Sequence, residues 1–201
     1  MTDQLLQLMR LYAKQYAVPV LFDETSQFIC SYIKEHDVKS VLEIGTAIGF
    51  SAIQFASVKE DVHVTSIEID VTRHCIAQKN VFMACLDDRI TLLHDNALTC
   101  DLGQQKFDLI FIDAAKSQYL NFFEKYKQNL NEGGVIVSDN LFFHGMVADL
   151  SLTHNYSTKK LVKKIRKYVL FLKSNTEFDT EFFNCGDGIS LSRRHSQNRI
   201  D

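Results

Sequence analysis

Six acidic residues, Glu43, Glu68, Asp70, Asp95, Asp113 and Asp139, stand at or near the ends of short apolar runs. Carboxylates in such places can accept hydrogen bonds from sugar hydroxyls or offer hard oxygen donors to a cation. Polar turns alone account for any single one of them. Their recurrence after successive runs asks for more, because in open parallel sheets ligands bind beyond the C-terminal strand ends.

The first of these acids opens the stretch VLEIGTAIGFSAIQFA, residues 41–56. Gly45 and Gly49 permit a tight strand-to-helix turn, whose first helical amides carry partial positive charge. The dinucleotide fingerprint G-x-G-x-x-G is absent, since Thr46, Ala47 and Ile48 fill the gap, and no P-loop lysine follows. Glu68, 23 residues after Gly45 at the end of the next apolar run, is placed to accept hydrogen bonds from the two hydroxyls of a ribose. A ribose without a pyrophosphate suggests S-adenosylmethionine.

The elements that must position these groups read as strands at 40–45, 62–70, 89–95, 107–113 and 133–139, each a short apolar or β-branched run. Helical segments lie between them. In SQYLNFFEKYKQNL the residues Tyr119, Phe122, Phe123, Tyr126 and Leu130 recur at helical spacing, and two further helices precede the first strand. Strands alternating with helices predict a parallel, doubly wound α/β sheet. Toward the C-terminus, STKKLVKKIRKYVLFLK predicts an amphipathic helix with Leu161, Ile165, Tyr168 and Leu172 on one face. TEFDTEFFN and GISLSRR then flank CGDG as an antiparallel hairpin.

A chain of 201 residues fits one domain, and at this size roughly 70% of the unfolded surface can be buried. No apolar run approaches the roughly 18 residues that would cross a bilayer, and the N-terminus lacks the pattern of a signal peptide. These features predict a cytoplasmic protein with no membrane partner. The five cysteines form no C-x-x-C pair, so buried free thiols are expected. The net charge of −3 hides an asymmetry: residues 1–150 carry 12 Lys and Arg against 20 Asp and Glu, whereas residues 151–201 carry 10 against 5.

The motifs VLEIGTAIGFSA, IEID, FDLIFIDAAKSQY and GGVIVSDN closely resemble those of the cation-dependent class I O-methyltransferases, the group that holds catechol and caffeoyl-CoA O-methyltransferases. The resemblance covers residues 18–193. It implies a Rossmann-like fold with a mostly parallel seven-stranded sheet, a C-terminal antiparallel hairpin and helices on both faces, in a single domain over 1–201. Residues 1–37 would form part of the cover over cofactor and substrate. Within the family, YAVPVL, DNLFFHGMV and GDGISLSRR most resemble the bacterial tRNA 5-hydroxyuridine methyltransferases, which act at the wobble position.

By this resemblance Glu43, Gly45 and Ser51 hold the methionine end of S-adenosylmethionine, Glu68 its ribose, Asn96 and Ala97 its adenine, and Leu21 covers the site. The family usually reads Gly-Asp-Ala where this chain has Asp95-Asn96-Ala97. An Asn carbonyl still accepts from an adenine amino group, but its own amide donors then need partners. Asp113, Asp139 and Asn140 would bind a divalent cation, and hard oxygen donors suit Mg²⁺. Lys116, three residues after Asp113, is the candidate general base, and Asp113 also stands beside the cofactor and the chemistry.

A metal so held would chelate two vicinal oxygens of the acceptor. A 5-hydroxyuridine offers a hydroxyl and a carbonyl in that relation, a catechol two hydroxyls. Lys159, Lys160, Lys163, Lys164, Arg166 and Lys167, with Arg193, Arg194 and Arg199, form a basic region that would suit a tRNA anticodon arm; a solvated helix face accounts for the same lysines. The expected activity is therefore O-methylation of tRNA 5-hydroxyuridine, with small catechol or caffeoyl-type phenols as the alternative acceptors and a silent cofactor-binding module as a further one. His144, just past the metal pair, is a candidate for the substrate pocket. The resemblance also implies a homodimer.

Overall fold

The computed structural model describes residues 2–195. Its seven strands make a mixed sheet, mostly parallel, and the chain divides into two compact units after Gly103.

The first unit contains helices α1 (Thr2–Gln15) and α2 (Asp23–Glu35), then β1 (Ser40–Ile44), α3 (Phe50–Ala56), β2 (His63–Glu68), α4 (Val71–Met83) and β3 (Ile90–His94). Its strands lie parallel in the order β3-β2-β1, with Glu43 opposite Ser66 and Glu68 opposite His94. The parallel pairing follows from the crossovers, since each pair of strands is joined through a helix. Asp70 caps α4 by accepting the Arg73 amide at 2.9 Å. Ile29, Ile33, Leu42, Ile44, Phe50 and Phe55 are among its fully buried side chains.

The second unit runs through β4 (Phe107–Ile112), α5 (Tyr119–Tyr126), β5 (Leu130–Ser138), α6 (Tyr156–Lys173), β6 (Phe178–Phe183) and β7 (Ile189–Arg194). β4 and β5 are parallel; β7 lies antiparallel between β5 and β6, so the final hairpin joins the sheet through its second strand. An aromatic cluster fills this core, with the Phe123 ring edge-on to Tyr168, Phe171 and Phe178 at centroid distances of 6.3, 5.4 and 5.1 Å.

Three expectations change. Leu130 begins β5 and is not the last residue of the preceding helix, because α5 tightens into a 3-10 turn at Lys127–Asn129 before the strand. On α6 the buried face is Val162, Ile165, Tyr168 and Leu172, with Leu161 at its half-buried edge. None of the five cysteines is in a disulfide, but only Cys100 is buried; Cys75 and Cys85 are exposed, on and just after α4. Among the described residues no helix is long and apolar enough to cross a membrane.

Candidate active site

In the first unit the turn after β1 is built on two carboxylates. The Gly45 and Thr46 amides both donate to the Ile67 carbonyl, at 3.0 and 3.3 Å, and the Gly49 amide closes the turn on the Thr46 carbonyl at 2.9 Å. Gly45 and Gly49 take φ of 106° and 85°. At Gly49 a Cβ would press on Ala77 of α4 at 3.3 Å, so a side chain is opposed both by the backbone angle and by the neighbouring helix. Asn80 Nδ2 donates to the Ile48 carbonyl at 2.8 Å and fixes the turn from α4.

Glu43 is fully buried and accepts from two hydroxyls, Ser51 Oγ on one oxygen and Ser66 Oγ on the other. Because the Ser66 proton is committed to Glu43, Thr46 Oγ1 supplies the proton in its 2.5 Å contact with Ser66. Burial pushes the Glu43 carboxyl up to about 7; the two serine bonds oppose that rise and the charge of Glu68 adds to it. Glu68 accepts the Ala47 amide at 2.8 Å and the Asp70 amide at 2.9 Å, one on each oxygen. Each oxygen keeps a second lone pair, the number needed for a vicinal diol.

Asn96 Oδ1 accepts the Leu98 amide at 2.9 Å, and the Asn96 amide donates to Asp95 Oδ1 at 2.6 Å. Ala97 is buried beside an exposed Leu98, while Ile69, directly after Glu68, is 65% exposed. Leu21 is buried in the same unit.

In the second unit the acids gather where β4 and β5 end. The Asp139 amide donates to the Ile112 carbonyl at 3.2 Å, tying the two strand ends together. Asp139 is 1% exposed; its Oδ1 accepts the Asn140 amide at 2.7 Å and its Oδ2 has no hydrogen-bond partner. Burial raises its pKa, with the Asn140 bonds and the nearby Lys116 charge pulling it down and Asp187 pushing it up. The Tyr119 hydroxyl is likewise buried without a partner, and its pKa is raised by burial and then by Asp113, Asp139, Tyr168 and Asp187. Asp113, Asp139 and Asp187 thus all act electrostatically on one buried phenol. Asp113 and Lys116 are half-buried, Lys116 opening a 3-10 turn that leads into α5.

Among the described residues no three His, Cys, Asp or Glu side chains stand together as a metal cluster. Asp113, Asp139 and Asn140 contribute two carboxylates and an amide, a donor set of hard oxygens. A buried carboxylate oxygen without a donor is costly, and Asp139 Oδ2 is the atom a cation at this set would satisfy.

The profile of the O-methyltransferase family matches residues 2–195. The chain belongs to the O-methyltransferase family. This O-methyltransferase is 28% identical over 206 residues to a caffeoyl-CoA O-methyltransferase of Populus kitakamiensis, covering 96% of the chain and 86% of the relative. It is 31% identical over 147 residues to a catechol O-methyltransferase of Niastella koreensis, covering 70% and 64%. A Staphylococcus aureus crystal structure provisionally described as a caffeoyl-CoA O-methyltransferase superposes with a TM-score of 0.91 at 34% identity, covering 94% of this chain and 92% of that one. An O-methyltransferase from Bacillus cereus, solved with S-adenosylhomocysteine, shares the fold at 23% identity and a TM-score of 0.83.

The fold thus brings Glu43, Gly45, Ser51 and Glu68 into one turn of the methyltransferase, with Asn96 and Ala97 just beyond β3 in the same unit, and sets Asp113, Lys116, Asp139 and Asn140 in the other. Reading by sequence overlooks Asp187, whose carboxylate is 9% exposed and accepts the His144 amide at 2.7 Å. It also treats Tyr119 as plain core. A carboxylate between two glycines in a hairpin is the signal that points to Asp187.

The basic region is thinner than its composition suggests. Arg166 donates to the Val147 and Ala148 carbonyls, Arg193 pairs with Glu181, and Arg194 pairs with Glu177. Arg199 lies outside the described residues. What remains is a row of exposed lysines on α6, Lys160, Lys163, Lys164 and Lys167, bracketed by Tyr156 and Leu170 at 81% and 66% exposure.

Proposed function

We propose that this enzyme transfers the methyl group of S-adenosylmethionine to one oxygen of a vicinal pair on an aromatic acceptor of the catechol or caffeoyl type, with a divalent cation at Asp113, Asp139 and Asn140. The buried, unpartnered Asp139 Oδ2 carries this reading, because a hard cation resolves its cost. The names of the relatives support the acceptor class.

Glu43, through Ser51 and Ser66, keeps the glycine turn in the shape that receives the methionine end of the cofactor. Glu68 offers its free lone pairs to the ribose hydroxyls. Asn96 and Ala97 would bound the adenine, with Leu21 covering the site. A bound cation supplies Lewis acidity and orientation to the acceptor's two oxygens. Lys116 is the candidate base: in its neutral form it would take the phenolic proton and become charged, and in its charged form beside Asp139 it favours the ionised carboxylate that such a cation requires.

A second acceptor, 5-hydroxyuridine in tRNA, is favoured by one observation: the α6 lysine row, which no acidic residue interrupts anywhere on that helix. One assay separates the two. Labelled methyl transfer to catechol, to caffeoyl-CoA and to tRNA bearing 5-hydroxyuridine is followed with Mg²⁺ and with EDTA. Transfer to the phenols that EDTA abolishes is the expected result; transfer only to tRNA selects the second reading, and transfer undiminished in EDTA removes the cation.

A further inference from the structure

Asp187 sits in the turn between β6 and β7, which the Gly188 amide closes on the Cys185 carbonyl at 2.9 Å. Three consecutive contacts join this turn to the segment that follows Asn140. The Gly188 carbonyl accepts the Leu141 amide at 2.8 Å, the Asp187 carbonyl accepts the Phe142 amide at 2.8 Å, and Asp187 Oδ1 accepts the His144 amide at 2.7 Å. The Phe142 ring lies so close to Gly188 that a Cβ there would stand 2.5 Å from it.

The segment held in this way has an unfavourable backbone. Asn140, Phe143 and His144 take φ of 56°, 46° and 55°, the left-handed region that side chains with a Cβ avoid. Such angles persist only where the surroundings over-determine them. Here the surroundings include the 185–188 turn, whose buried Asp187 carboxylate holds the backbone of the segment at His144.

We infer that Asp187 is a positioning residue: by holding the His144 amide it fixes the left-handed stretch that begins at Asn140, and so sets where the Asn140 side chain stands beside Asp139 for cation binding. The inference rests on the cation reading proposed above. It assigns Asp187 a geometric task. An Asn at this position keeps an oxygen that can accept from the His144 amide, whereas an Ala keeps none.

The test compares the full-length protein with Asp187→Ala and Asp187→Asn. Mn²⁺ binding is measured by the electron-spin resonance of the free ion, S-adenosylhomocysteine binding by calorimetry, and amide hydrogen exchange across residues 141–146 by mass spectrometry. Asp187→Ala is expected to weaken Mn²⁺ about ten-fold or more, the range typical of outer-shell partners, and to speed exchange in the segment. Its affinity for S-adenosylhomocysteine should stay within about two-fold, and Asp187→Asn should stay within about three-fold of the original protein for Mn²⁺. Unchanged Mn²⁺ affinity in Asp187→Ala overturns the inference. So does an Asp187→Asn variant as weak as Asp187→Ala, since the charge would then matter and not the acceptor geometry. Should Asp187→Ala lose S-adenosylhomocysteine binding through misfolding, Asp187→Asn decides alone: near-original Mn²⁺ affinity supports the inference, a ten-fold loss overturns it. If the original protein takes up no Mn²⁺, the cation reading fails first and the inference falls with it.

Discussion

The Ser66 hydroxyl donates to the Glu43 carboxylate at 2.5 Å, between residues that face each other in register on β1 and β2. Ser51 donates to the other oxygen, so a fully buried acid is solvated by two hydroxyls from two other elements. Removing one donor leaves a buried acceptor unpaired, which costs roughly 1–3 kcal/mol. Ser66→Ala should therefore unfold at a lower urea concentration at pH 8, and the loss should shrink at pH 5 as the carboxyl takes up its proton. An unfolding midpoint equal to that of the original protein at pH 8 would show that the bond contributes nothing.

Glu43 also sets a pH dependence. Its carboxyl is raised from 4.5 to about 7 on folding, so between those values the folded chain holds a proton that the unfolded chain has released. Stability therefore falls as pH rises through this window: the penalty is absent below 4.5 and complete above about 7, amounting to roughly 3 kcal/mol. Glu43→Gln should flatten the stability curve there and be the more stable protein at pH 8, by roughly 1–3 kcal/mol. Parallel urea-midpoint curves for the two proteins from pH 4 to 9 would refute this.

The strands that carry the site are legible in the sequence because a parallel strand buried on both faces leaves an unbroken apolar run, as in residues 109–112. Leu130 is not legible in the same way, since its burial satisfies both a helix face and a strand. Glu43 could be picked out as a strand-end acid, yet its inward turn toward Ser51 and Ser66 depends on partners 8 and 23 residues away on other elements. Asp187 is harder still, because its task is set by the backbone of a segment 43 residues earlier. Chain-local pattern identifies the chemistry-bearing residue types; long-range pairing decides which of them face a ligand and which hold the frame.

Gly188 should be intolerant of any side chain. It takes φ of 83°, and a Cβ would meet the Phe142 ring at 2.5 Å, so Gly188→Ala combines backbone strain with a clash and should cost roughly 2–4 kcal/mol. Gly103 provides the control: φ is 55° but nothing lies within 4 Å of the added carbon, so Gly103→Ala should cost only about 1 kcal/mol. Calorimetric melting of both variants checks the contrast. Equal losses would mean that Phe142 simply moves aside.

Asp139→Asn should separate stability from activity. The substitution removes a buried carboxylate whose ionisation burial disfavours, so without added cation the variant should gain roughly 1–3 kcal/mol at pH 8. The same change withdraws an anionic oxygen from the proposed cation site, and methyl transfer should fall at least about 100-fold while S-adenosylhomocysteine still binds. Retained turnover in Asp139→Asn would exclude the carboxylate from the mechanism.

The lysine row of α6 makes two separable predictions. Lys160, Lys163, Lys164 and Lys167 stand three or four residues apart, so that four like-charged pairs lie along one exposed face. Each such pair destabilises a helix by roughly 0.2–0.5 kcal/mol, and replacing all four lysines by Gln should stabilise the protein by about 1 kcal/mol at low salt, less at high salt. Catechol methylation should change by less than about two-fold, because none of the four belongs to the proposed cofactor or cation site. If tRNA is the acceptor, the same variant should lose at least about ten-fold in transfer to 5-hydroxyuridine, and the salt dependence of tRNA binding should flatten by up to about four in the logarithmic slope. Full activity on tRNA with an unaltered slope would show that the row is a solvated face and that RNA, where it binds at all, binds elsewhere.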